Sequence, residues 1–148
     1  MATSPDLDCH TVMTPAEHPT LSHPPYDSLV ARFEARAAER PPAIAVRWAD
    51  RTLTYAALNQ RADAVARELR ARGCAPGDRV GLQAGRTGDL IVGALGILKA
   101  GAAYVPVDPD TPRARRWHVW AEARVQVVVT DSNAVDEEEW PTAVLLIP

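Results

Sequence analysis

The chain has 148 residues, 47% of them hydrophobic and 24% charged, with a formal net charge of −3. That is enough apolar sequence for one domain with a true core, and the mildly acidic balance offers no general attraction for phosphate backbones, which excludes nucleic acid as a partner of choice. No apolar run approaches the roughly 20 residues that span a bilayer, and the opening MATSPDLDCHTV lacks the basic and apolar regions of a secretory signal, so a cytoplasmic location is expected.

Residues 1–27 hold five prolines and little hydrophobic periodicity. Such a stretch buries too little surface to offset its ordering entropy and reads as a flexible, Pro-rich leader. Within it, Cys9, His10, His18 and His23 are the only cluster of metal-ligand types, but their spacings match no established zinc pattern. A solvated tail is the expected reading. Cys9 and Cys74 lie in unrelated contexts and indicate no disulfide framework.

Order is predicted to begin near Ser28. Leu29, Val30, Phe33 and Ala37 fall at helical spacing, and Pro41–Pro42 ends that helix. Two β-like runs, 43–48 and 51–55, are split by Ala49–Asp50 and read as a hairpin lacking the Asp-Gly signature. Tyr55, Leu58, Ala62, Val65, Ala66 and Leu69 then form one apolar stripe of a helix, with Thr54 as N-cap and Gly73 past its end. Asp63 with Arg67, and Glu68 with Arg72, are i,i+4 pairs on its other side.

Pro76–Gly77–Asp78 turns the chain into a strand over 79–83. A second, largely buried helix is predicted from about Thr87 to Ala100. Gly93 and Gly96 weaken its interior by about 1 kcal/mol each, which predicts close packing against a neighbour as compensation. Lys99 is placed to complement the helix C-terminal dipole, and Gly101 to take the left-handed cap. The strand 103–107 carries Pro106, an edge or bulge marker. Pro112 starts a helix over 113–123, a buried strand covers 125–130, Asp136–Glu139 is an acidic loop, and 142–147 is a last apolar strand. Strands alternating with helices give an α/β fold: a mostly parallel sheet flanked by helices.

Two stretches go beyond fold class. Leu53-Thr54-Tyr55-Ala56-Ala57-Leu58-Asn59 resembles the first core motif of nonribosomal peptide synthetase adenylation domains, members of the adenylate-forming ligase superfamily. Leu98-Lys99-Ala100-Gly101-Ala102-Ala103-Tyr104-Val105-Pro106-Val107-Asp108-Pro109 is similar, nearly residue for residue, to the second. Gly77-Asp78-Arg79-Val80 between them, and Val129-Thr130-Asp131 after them, agree with the same family. The departures are Ala57 where the family usually has Glu, the stretch 84–89, and the bulky run Arg115-Arg116-Trp117-His118-Val119-Trp120. Losing the Glu removes half of a capping box with Thr54, about 0.5–1 kcal/mol of helix-start stability.

The resemblance implies an N-terminal portion of an AMP-binding domain over 28–148. In the complete enzyme it implies ATP and magnesium, an acyl-adenylate product, and transfer to a carrier-protein thiol. The family holds the ATP phosphates on a Gly/Ser/Thr-rich loop that ends in Pro-Lys-Gly. Such a loop presents backbone N–H groups and a Lys to phosphate oxygens, and these 148 residues contain none. The chain by itself is therefore expected to bind no cofactor and to be inactive, with no catalytic, cofactor-binding or metal-ligating residue assigned.

The remaining residues of chemical interest read as structural. Asp108 and Asp110, flanked by prolines, read as turn residues and a helix cap. Gly93 and Gly96 lie inside a helix and so form no dinucleotide fingerprint. Arg113, Arg115 and Arg116 beside Trp117 read as a solvated face, and His118 has no sequence neighbour to make it a base. Three functional expectations follow. The chain is part of an adenylating ligase completed by a protein partner; or it is a noncatalytic module that docks on a synthetase or self-associates through an open edge at 142–147; or it is the remnant of a broken gene.

Overall fold

The computed structural model describes residues 28–131 and 143–148. The leader with its Cys9, His10, His18 and His23, and the acidic Asp136–Glu139 run, lie outside the described residues.

Helix α1 (Leu29–Glu39) starts where Ser28 Oγ accepts the Ala31 N–H at 3.1 Å, and it stops ahead of Pro41–Pro42. Strands β1 (Ile44–Trp48) and β2 (Arg51–Thr54) form the antiparallel hairpin. Its turn places Ala49 at φ 45°, a left-handed conformation that a non-Gly residue adopts at a cost, in place of the missing Asp-Gly chemistry. Helix α2 (Tyr55–Ala71) begins with Thr54 Oγ1 accepting the Ala57 N–H at 3.2 Å. Its stripe of Leu58, Ala62, Val65, Ala66 and Leu69 is buried, as the periodicity required.

The rest is strand–helix alternation: β3 (Arg79–Gln83), α3 (Gly88–Lys99), β4 (Ala103–Pro106), α4 (Arg113–Glu122), β5 (Val127–Thr130) and β6 (Ala143–Leu146). The four strands form one wholly parallel sheet in the order β4-β3-β5-β6. Edge position explains Pro106. The N–H groups of Ala103 and Val107 donate to Asp78 and Leu82 of the inner strand side, so the backbone nitrogen of Pro106 points away from the sheet, where no donor is needed.

Alternating residues sort to two cores. On one face Val80, Leu82, Val129 and Leu145 pack under α2 and α3; on the other Val107, Val125 and Val128 pack under Trp120 of α4. Glycines set the approach distances. A Cβ at Gly96 would lie 2.5 Å from the Val65 Cβ, and one at Gly93 would lie 2.7 Å from the Leu82 Cδ1. α3 is thus wedged between sheet and α2, which is the compensation expected for two glycines in a helix interior. Gly101 takes its left-handed cap at φ 87°.

Three local expectations are corrected. Glu68 and Arg72 pair at 2.9 Å, but Asp63 turns to Lys99 instead of Arg67. Asp108 builds the turn, its Oδ1 accepting the Asp110 N–H at 2.9 Å, yet Asp110 does not cap α4; Pro112 holds that position without a side-chain bond. Arg116 is not solvated: it is partly buried and donates to the Pro109 carbonyl at 3.1 Å.

Candidate functional site

Open parallel sheets bind ligands beyond the carboxyl ends of their strands, where successive connections leave in opposite directions. Here β3 leads to β4 on one side, and β4 crosses back to β5 on the other, so the divergence lies between β3 and β5. Gln83 and Thr130 end these strands, and both are buried. Just past them, the Gly85 N–H donates to Asp131 Oδ2 at 2.9 Å and ties the two loops together.

The adjoining start of α3 is also closed by its own bonds. Thr87 Oγ1 accepts the Asp89 N–H at 3.2 Å, and Arg61 of α2 meets Asp89 Oδ1 at 2.6 Å. Arg61 Nε also donates to the Pro148 carbonyl at 2.6 Å, which fastens the residues after β6 to the same rim.

A nucleoside triphosphate needs unoccupied N–H donors and cationic side chains at such a rim. The Gly85 N–H is instead consumed by a carboxylate whose charge opposes phosphate. The single lysine of the sequence, Lys99, stands at the far end of α3. Its side chain is 4% exposed, and Nζ lies 2.6 Å from both Glu34 Oε1 and Asp63 Oδ1. The Gly85 N–H and the Arg61 guanidinium at the rim are thus already engaged by carboxylates, and the lysine is too far to reach it, so this arrangement does not fit a triphosphate. The described residues likewise hold no group of three or more His, Cys, Asp or Glu suited to a metal ion.

The sequence placed Lys99 as a dipole complement, and it does stand in the last turn of α3; the structure adds that it is buried and clamped by two carboxylates. Burial acts to lower its pKa, but the hydrogen bonds and charges of Asp63 and Glu34 outweigh it, and the net shift is upward. Cys74 is partly exposed, and burial, then the Asp78 carboxylate, push its thiol up, which makes it a poor nucleophile. His118 makes a 3.4 Å surface pair with Glu122 one turn on. Sequence reading missed the Asp131–Gly85 tie and the Arg61–Asp89 pair. The available signal was Asp131 directly after a buried strand, but only the adjacency of β3 and β5 in the sheet brings it to Gly85.

The sequence model of AMP-binding enzymes matches residues 33–146. The chain belongs to the AMP-binding enzyme family. Gramicidin S synthase 2 of Aneurinibacillus migulanus is 39% identical over 112 residues, 76% of this chain and 2% of the synthase. Bacitracin synthase 1 of Bacillus licheniformis is 35% identical over 127 residues, 86% of this chain and 2% of that protein. Among solved structures, the nonribosomal peptide synthetase FmoA3 bound to alpha-methyl-L-serine-AMP superposes with a TM-score of 0.79 at 36% identity, covering 85% of this chain and 15% of the FmoA3 chain. The N-terminal subdomain of Klebsiella oxytoca NpsA, at 24% identity and a TM-score of 0.68, shares the fold. The chain thus corresponds to the N-terminal segment of a nonribosomal peptide synthetase adenylation domain, and it spans about 2% of the length of the synthetases it matches. Among the described residues no helix is long and apolar enough to cross a membrane.

Proposed function

We propose that residues 28–148 serve as the front scaffold of an amino-acid-adenylating domain and are inactive alone. The nucleotide-gripping groups, and the ATP and magnesium they bind, belong to other segments of the domain, carried by a partner polypeptide or by further sequence. In the assembled domain, the reaction is attack of a carboxylate on the α-phosphorus of ATP, giving an acyl-adenylate and pyrophosphate, followed by transfer to a carrier thiol. FmoA3, a relative, has been crystallised with AMPPNP. The observation that carries the reading is the closed rim: Asp131 occupies the Gly85 donor, and Lys99 is held at the opposite end of α3 by two carboxylates.

The test is amino-acid-dependent ATP–pyrophosphate exchange by the purified chain, alone and with polypeptides that carry the remaining adenylation segments. The expected result is no exchange alone and exchange in the mixture. Clear exchange from the chain alone overturns the proposal. A second reading, a noncatalytic module that docks or self-associates, is favoured by one observation: β6 is hydrogen-bonded to β5 on one side and ends the sheet, with Leu146 49% exposed on it.

A further inference from the structure

We infer that α1 is a strap that opens independently of the rest of the molecule, latched by Glu34 onto Lys99. Ala37 is the only buried residue of α1; Val30 and Phe33 are half-buried, and the others are exposed. An 11-residue helix is marginal in water by itself, so α1 persists through its docking rather than its propensity. That docking consists of Phe33, whose ring stands 5.9 Å from the ring of Tyr55, of Ala37, and of the Glu34–Lys99 pair. α2 and α3, by contrast, bury Leu58, Val65, Leu69, Val92 and Ile97 almost completely. Local opening follows burial, so α1 belongs to the low-stability end of the structure and its neighbours to the high end.

The latch has a specific consequence. Closed, α1 supplies one of the two carboxylates on a lysine side chain that is 4% exposed. Open, it leaves Lys99 with Asp63 alone and accessible to solvent. Lys99 is the last residue of α3, one step from the Gly101 turn into the edge strand β4. Because Glu34 is half-exposed, the latch weakens with added salt.

Hydrogen exchange on the full chain tests this. Amides of α1 are expected to exchange far faster than those of α2 and α3, and faster still at roughly 0.5 M salt, where the Debye length falls to about 4 Å. Glu34→Gln should speed α1 exchange about two- to fivefold, the effect of one ion pair with an exposed partner, while α2 and α3 stay protected. Phe33→Ala should do the same without touching the charges. Since Lys99 is the only lysine, amine labelling at that residue reads the opening directly, and Phe33→Ala should accelerate it without altering the neighbours that set its reactivity. Exchange of α1 at the same rate as α2, or Lys99 labelling that keeps pace only with global unfolding, overturns the strap. Unchanged α1 exchange in Glu34→Gln overturns the latch.

Discussion

Lys99 answers a question the sequence leaves open, namely how a charge is kept inside this fold. Two carboxylates from different helices meet it, each at 2.6 Å, and both carboxylates remain 41–50% exposed. The lysine alone is thus desolvated, while its partners keep much of their hydration. That arrangement lowers the usual cost of a buried ion pair. The Lys99 pKa is raised above the ordinary value of 10.5, so the folded chain holds this proton more tightly than the unfolded chain does. The stabilisation is fully present below that value and is lost as pH rises through the folded pKa. Lys99→Met keeps the apolar stem and removes the charge. Urea midpoints of the two proteins are therefore expected to differ at neutral pH, with the gap narrowing as pH rises through the folded-state pKa of Lys99, above 10.5. A gap independent of pH would show that the charge plays no part.

At the scale of elements, the decisive contact is α2 against α3, fixed by Gly96. A Cβ there would lie 2.5 Å from Val65 Cβ, 2.6 Å from Val65 Cγ1 and 3.0 Å from the Ala62 carbonyl. Two of these neighbours are rigid, one a branched side-chain root and one backbone. Gly96→Ala gains up to about 1 kcal/mol of helix propensity, but the helices must separate to admit the methyl group, at a cost of about 1–3 kcal/mol. The net expectation is destabilisation by about 1–2 kcal/mol, measured as a lower urea midpoint; a variant more stable than the parent would place α3 farther from α2. The glycine pair, the α2 stripe, the Thr54 cap and the Gly101 turn were all legible in the sequence, because each depends on spacing along one element. The partner of Asp63 was not legible. Arg67 is near it in sequence, Lys99 is 36 positions away, and only the packing of α3 on α2 decides between them. Asp110 failed as a helix cap because α4 starts three residues farther on, with Pro112 at the cap position. The rim tie between Gly85 and Asp131 depends on β3 and β5 being neighbours, which strand order alone supplies.

On the scale of the whole molecule, the sheet formed by the described residues is finished on one side and open on the other. β4 ends it with a proline and a short run, devices that discourage further pairing. β6 has neither. Leu146 is 49% exposed, and beside the strand a cleft of about 470 Å³ runs between Val65 and Ala71 of α2 and Leu145, Leu146 and Pro148. Apolar surface next to a strand edge invites a further strand, whether from another adenylation segment or from a second copy. The purified chain is therefore expected to associate with rising concentration in sedimentation velocity runs. Leu146→Lys places a charge on that edge and should shift the distribution toward monomer. Its own stability should change by no more than about 0.5 kcal/mol, because the side chain is half in solvent. If Leu146→Lys associates as the parent does, the edge is not the contact. If the parent stays monomeric at every concentration, self-association fails and a strand from another adenylation segment is the remaining occupant. The lysine should block that strand as well, so the same substitution ought to abolish exchange activity in the mixed reaction without altering the fold of the chain alone.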